Sequence, residues 1–224
     1  MKIFNILKII LDIAELTACI AGFVYWKKIK STYWRFFPLY LGIIVIAEII
    51  GTYLNARKMS HYTVVIFSYG IIPLEIFFFL WLFYNEFKKL NVKWLSVAGG
   101  FMYILCFLTD ILFVSRHNYW FLSFSYTAGI LILVIHILSF LFRLAKSDEV
   151  LSIKTNMMFW VCLGLLVFYL CSLPFFGMGN FLLKNYNNIF INYARLTFVF
   201  NCMMYALFTI AFICGKPKPS YSSY

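Results

Sequence analysis

The chain has 224 residues, of which 64% are hydrophobic and 22% aromatic, with 12% charged and a formal net charge of +11. Soluble domains carry roughly half their residues as apolar and about a quarter as charged, and disorder requires low hydrophobicity. Both classes are therefore excluded, and an all-α, polytopic membrane protein remains. Barrel strands alternate apolar and polar residues over about 10 positions, and runs such as GIIPLEIFFFLWLF (70–83) do not.

A membrane helix needs about 20 mostly apolar residues. Seven such runs occur, at 9–26, 36–54, 62–84, 94–114, 120–142, 157–179 and 190–214, predicting one seven-helix transmembrane bundle over 1–214. In the first, a basic start and the tetrad Leu16-Thr17-Ala18-Cys19 resemble a lipoprotein cleavage box. Asp12 and Glu15 interrupt the apolar run, however, and the residues after Cys19 stay apolar, so a retained span is the better reading. Ala14, Ala18 and Gly22 have the small-xxx-small spacing that lets a neighbouring helix approach closely. The longest connection, about 143–156, cannot hold a soluble catalytic domain, and GKPKPSYSSY (215–224) reads as a flexible cytoplasmic tail.

Cytoplasmic loops of membrane proteins are enriched in Lys and Arg. One side of the spans carries Lys27, Lys28, Lys30, Arg35, Lys88, Lys89, Lys93, Arg143, Lys146, Lys154, Lys216 and Lys218. The other carries half as many: Lys2, Lys8, Arg57, Lys58, Arg116 and Lys184. This predicts a multi-pass inner (plasma) membrane protein with the N-terminus outside and the C-terminus cytoplasmic. The positive charge then faces lipid headgroups, and no nucleic-acid partner is expected. The six cysteines fall in or beside spans without a CxxC pair and read as packing residues.

Three outside-to-inside helices open alike, at Phe67-Ser68-Tyr69, Phe124-Ser125-Tyr126 and Ile191-Asn192-Tyr193. Leu41-Gly42 also resembles Leu163-Gly164, and Glu48 and Ser172 stand equally far before their tyrosines. The chain can thus be read as one helix plus three hairpins, with Tyr69, Tyr126 and Tyr193 at the outer mouth. The alternative is chance similarity among aromatic-rich helices.

Ionisable groups at membrane depth are costly and face a partner or a cavity. Here they are Asp12, Glu15, Glu48, Glu75, Asp110, His136 and Arg195. Glu75 lies near mid-span, and the other acids and Arg195 lie towards the outer side. An Arg195-centred network bridging carboxylates is expected, since the guanidinium fork suits two partners. It serves either helix orientation or ligand binding. His136, alone on an apolar helix, reads as a packing residue, and His61 and His117 as solvated loop residues. No clustered metal-ligand spacing occurs, so no metal or cofactor is expected. Glu86 beside Lys88 and Lys89 reads as a surface ion pair. Pro174, followed by Gly177, Gly179 and Asn180, predicts a kinked or unwound outer segment in the sixth span.

Pro73-Leu74-Glu75-Ile76-Phe77-Phe78 resembles part of the signature of carotenoid lycopene cyclases, although the second motif of that family is missing. Span seven holds no Lys for a retinal Schiff base, and no GxSxG or HExxH set is present. Three blocks, together with Ile210-Ala211-Phe212-Ile213-Cys214, resemble a group of small seven-helix proteins frequent in Bacteroidota. They are Glu48-Ile49-Ile50-Gly51, Leu74-Glu75-Ile76-Phe77-Phe78, and Phe159-Trp160 with Leu163 to Tyr169. That group is similar to the membrane-embedded sensor halves of some histidine kinases. The stretch Thr127 to Ile135 departs from it by lacking a further Leu-Glu pair.

The resemblance implies a receptor-like or sensory module without its own output domain, and therefore a membrane or cytoplasmic signalling partner. From its intramembrane charges, it is expected to bind a small or lipidic ligand, or a membrane partner, in its outer half, with Glu48, Glu75, Asp110 and Arg195 lining the pocket, Tyr69, Tyr126 and Tyr193 at its mouth, and Asp12 and Glu15 in the same polar network. A membrane enzyme acting on a polyprenoid or lipid, and a cation- or proton-coupled transporter, are the rival readings from the same carboxylates.

Overall fold

The computed structural model describes residues 2–88, 92–114 and 122–216, so His117, Lys89 and the tail beyond Lys216 lie outside the described residues. The described chain is helical, with no strand beyond one isolated bridge between Asn156 and Lys216. Helix α1 spans Lys2–Val24 and a short α2 spans Trp26–Ile29. A 3₁₀ turn at Tyr33–Arg35 leads into α3, Phe36–Ala56. Helix α4, Ser60–Ile66, continues through a π-helical turn at Phe67–Ile71 into α5, Ile72–Lys88. Helix α6, Trp94–Thr109, runs into a second π-helical turn at Asp110–Val114. Helix α7 covers Ser123–Ala145, α8 Met157–Asn185 and α9 Asn187–Cys214.

Six helical stretches are long and apolar enough to cross a membrane: Tyr33–Ala56, Ser60–Lys88, Trp94–Phe113, Ser123–Ala145, Met157–Gly179 and Asn187–Cys214. Helix α1, with Lys2, Lys8, Asp12 and Glu15, is not among them.

Two sequence expectations need correction. No unwound segment follows Pro174. Helix α8 continues through it to Asn185, and the connection expected over 180–189 shrinks to Tyr186. A proline removes one backbone donor, a loss that membrane helices tolerate when neighbouring groups compensate. Apolar Phe181, Leu182 and Leu183 then keep the helix going, and hydrogen bonds from Tyr186 to Leu182 and from Phe190 to Tyr186 meet at the break. Glu86, expected at the surface beside Lys88 and Lys89, is buried.

The chain forms two compact units. The first comprises Met1–Val45, Ile137–Phe168 and Phe198–Tyr224, and the second Ile46–His136 and Tyr169–Thr197. Phe37 is the hub of the first. It meets Trp34 and Phe208 edge-on, at 5.9 and 5.1 Å between ring centroids, and lies 5.3 Å from Phe212. All four side chains are buried, and offset or edge-on ring pairs of this kind add attraction beyond the area they cover.

Asn156 caps α8, its Oδ1 accepting the Met158 N–H at 2.9 Å. Lys28 serves the other end of α9. Its Nζ donates to the Phe212 and Ile213 carbonyls, each at 3.1 Å, which places a cation at the negative end of the helix dipole. Partial burial lowers the Lys28 pKa from the ordinary lysine value, with Cys214 opposing and Lys216 reinforcing that shift.

The small residues of α1 act as the sequence predicts at two positions. Ala18 is fully buried, and a Cβ on Gly22 would lie 2.7 Å from the Pro38 ring and 3.1 Å from Phe212. A proline ring has no rotamer to swing away. Gly22→Ala is therefore expected to destabilise the fold by about 1–3 kcal/mol, the usual range for overpacking. Thermal unfolding in mild detergent measures this, and Gly42→Ala is the control, because its Cβ would find only Cys19 Sγ at 3.9 Å. Equal melting points for the two variants would refute the close α1–α3 approach.

The second unit packs Ile76, Phe79 and Phe83 of α5 with Tyr103 of α6 and Ile130 and Leu133 of α7, all buried. A Cβ on Gly129 would sit 2.9 Å from Ile76 and 3.0 Å from Tyr103, so this glycine lets Tyr103 lie against the α7 backbone.

Candidate functional site

Two carboxylates of the second unit stand at junctions between α and π geometry. Glu75 is in the first turn of α5, just after the π turn Phe67–Ile71, and Asp110 opens the π turn at the end of α6. Such turns are rare and often mark functional positions, because they re-aim the side chains beyond them.

Glu75 is partly buried, and its Oε1 accepts a hydrogen bond from the Tyr169 hydroxyl at 2.6 Å. Tyr169 is fully buried on α8, so it holds the carboxylate from a different helix. The distance is at the short end of the range for an O–H···O hydrogen bond. Asp110 is 0% exposed, and its Oδ2 accepts the backbone N–H of Ser125 at 2.7 Å. Ser125 is the third residue of α7, so Asp110 caps that helix from outside and meets the positive end of its dipole.

Tyr103 of α6 lies within the electrostatic field of both carboxylates. Its ring is fully buried, and its hydroxyl has no hydrogen-bond partner. Tyr126 is buried within electrostatic reach of Glu75 and Tyr103 and packs edge-on against Phe176 at 4.6 Å. The second oxygen of Asp110 is also buried without a partner, as are the hydroxyls of Ser68 and Ser172. Ser172 lies three residues beyond Tyr169, on the same face of α8. Most buried polar atoms in proteins are paired, so this concentration of unmatched oxygens within one unit sets the region apart.

The other expected residues are placed as follows. Asp12 and Glu15 belong to the first unit. Asp12 pairs with Lys8 at 3.5 Å, one turn earlier on α1, and Glu15 is buried within reach of Cys202. Glu48 is partly buried on α3. Arg195 donates from Nη1 to Asn192 Oδ1 at 3.1 Å on its own helix, and its Nε is buried without a partner. The three repeat tyrosines do not share one setting. Tyr69 is 47% exposed, Tyr126 is buried beside Glu75, and Tyr193 is partly buried and stacked on Phe175. Tyr103 and Tyr169 were not expected. In a chain where 22% of residues are aromatic, one more tyrosine on an apolar helix carries no signal. No group of three or more potential metal ligands occurs among the described residues.

Comparison with protein-family models, curated proteins and solved structures returned no match. Six membrane-length apolar helices and carboxylates held by tyrosine and backbone donors define a multi-pass integral membrane protein in contact with the bilayer.

Proposed function

We propose that the protein is a receptor-like or sensory membrane module that binds a small ligand at the Glu75–Asp110–Tyr103 cluster. The observation that carries this reading is the pair of unmatched buried atoms, Tyr103 Oη and Asp110 Oδ1, beside a carboxylate already fixed by Tyr169. Together they offer a free donor and a free acceptor in apolar surroundings, where each hydrogen bond made to a ligand is strengthened. The ligand this suits is small and carries both donor and acceptor groups. Native mass spectrometry of the protein purified in mild detergent is expected to show a stoichiometric bound mass. A chain that is apo under those conditions, and stays apo after incubation with membrane extract, would overturn the reading.

We further propose seven spans, the number in the Bacteroidota proteins to which the sequence is similar, with the N-terminus outside the inner membrane. Helix α1 supports this through its surface. Ile6, Ile9, Ile13 and Ile20 are all more than half exposed, whereas Glu15 is 3% exposed. An apolar exterior over a buried acid suits lipid, not water. The Lys8–Asp12 pair offsets two of its charges. The bias of Lys and Arg sets the direction. In intact cells, single cysteines at Lys58 and Lys146 in a cysteine-free background report it. A membrane-impermeant maleimide is expected to label position 58 and spare position 146. The opposite pattern would invert the topology.

A further inference from the structure

We infer that a groove between α6 and α7 binds an anionic phospholipid of the surrounding bilayer, independently of the carboxylate cluster. The groove has a volume of about 860 Å³ and lies wholly within the second unit. Its two ends differ in chemistry. At one end stand Lys93, exposed, with Trp94 and Tyr84. Towards the other, the walls are Phe101, Met102 and Leu105 of α6, each more than half exposed. At 1.5 Å per residue, Lys93 and Leu105 are about 18 Å apart along the helix, a length that suits an extended acyl chain.

The charge at the Lys93 end selects the head. An ammonium with indole and phenol neighbours at a membrane interface is an anchor for an anionic headgroup. Lys88, also exposed, adds to the positive charge at the end of the preceding helix.

The floor is shaped by Gly99 and His136. A Cβ on Gly99 would come within 2.8 Å of His136 Cε1, so only glycine lets the imidazole lie against the α6 backbone. His136 is 2% exposed and lines the groove. Its Nδ1 bonds the Ile132 carbonyl at 2.7 Å, which fixes the proton on that nitrogen because a carbonyl only accepts. Nε2 makes no hydrogen bond, although the Leu95 backbone lies close by. An uncompensated polar atom in the floor, on the Lys93 side of the apolar walls, gives the groove the polarity of an amphiphile with its head towards Lys93.

The test reconstitutes the full chain in nanodiscs of phosphatidylcholine with increasing phosphatidylglycerol, followed by native mass spectrometry after release. The wild type is expected to retain one phosphatidylglycerol in preference to phosphatidylcholine. Lys93→Glu should lower that retention about tenfold, because it replaces attraction to the headgroup by repulsion. Ala98→Trp, which fills the groove from the exposed Ala98 position, should abolish retention while leaving thermal unfolding unchanged. Lys146→Glu removes an equal charge from outside the groove and should retain the lipid. Equal retention of both lipids by the wild type, or equal loss from Lys93→Glu and Lys146→Glu, would mean non-specific annular lipid and overturn the proposal. Should Ala98→Trp fail to fold, Lys93→Glu against Lys146→Glu still decides it.

Discussion

Asp110→Ala is expected to lower stability by about 2 kcal/mol, the middle of the range for leaving a buried backbone donor unpaired, while Asp110→Asn costs well under half of that. The Ser125 N–H is one of the first N–H groups of α7, which no residue of its own helix can accept. In water a lost cap is partly replaced by solvent. Here Asp110 and Ser125 are 0% and 1% exposed, so solvent cannot substitute. Asparagine keeps an acceptor oxygen at the same place and loses only the charge–dipole part. Thermal unfolding of the purified protein in one detergent separates the variants. If alanine and asparagine prove equally mild, the carboxylate does not act as a cap, and its burial needs another account.

That interaction was not legible in the sequence, although Asp110 itself was. Composition and the lengths of the apolar runs were enough to predict membrane helices, because lipid imposes one strong rule: backbone polar groups must be satisfied within the segment. Six of the seven predicted spans reappear with ends shifted by a few residues. The intramembrane acids also stood out, since ionisable groups are rare at that depth. What the sequence did not carry was the aim of each side chain. Face assignments assume 3.6 residues per turn, and a π turn inserts a residue and rotates everything beyond it by about 100°. The turn at Phe67–Ile71 contains the repeat tyrosine Tyr69 and precedes Glu75, and no residue pattern in FSYGI announces it. Tyr69 is therefore exposed, while Tyr126, which opens an ordinary helix, lies beside the carboxylate.

Partner choice was equally hidden. Arg195 and the carboxylates are drawn together when only opposite charges are counted, yet the hydrogen bond it makes is with Asn192, one turn earlier. Glu75 is instead held by a tyrosine hydroxyl 94 positions later in the chain. Long-range pairings between an acid and one of 16 tyrosines depend on how helices cross, and that is set by small-residue contacts such as Gly129 against Tyr103.

Glu75 carries the strongest functional prediction. Glu75→Leu is expected to remove the bound mass from the purified protein, weakening its retention tenfold to a hundredfold, as for a hydrogen bond to a charged group worth about 1.5–3 kcal/mol. Tyr169→Phe leaves the carboxylate in place but frees it to rotate. Side-chain hydrogen bonds inside membranes average about 0.6 kcal/mol, so the expected loss is about threefold. The order of the two effects distinguishes a ligand contact from a support. If Glu75 only joins α5 to α8, the two variants break the same bond, and their losses should be similar and accompanied by lower melting points. If Glu75 touches the ligand, Glu75→Leu exceeds Tyr169→Phe by severalfold, with both melting within a few degrees of the wild type. The double variant then adds little to Glu75→Leu alone, because Tyr169 acts on the ligand only through the carboxylate it holds.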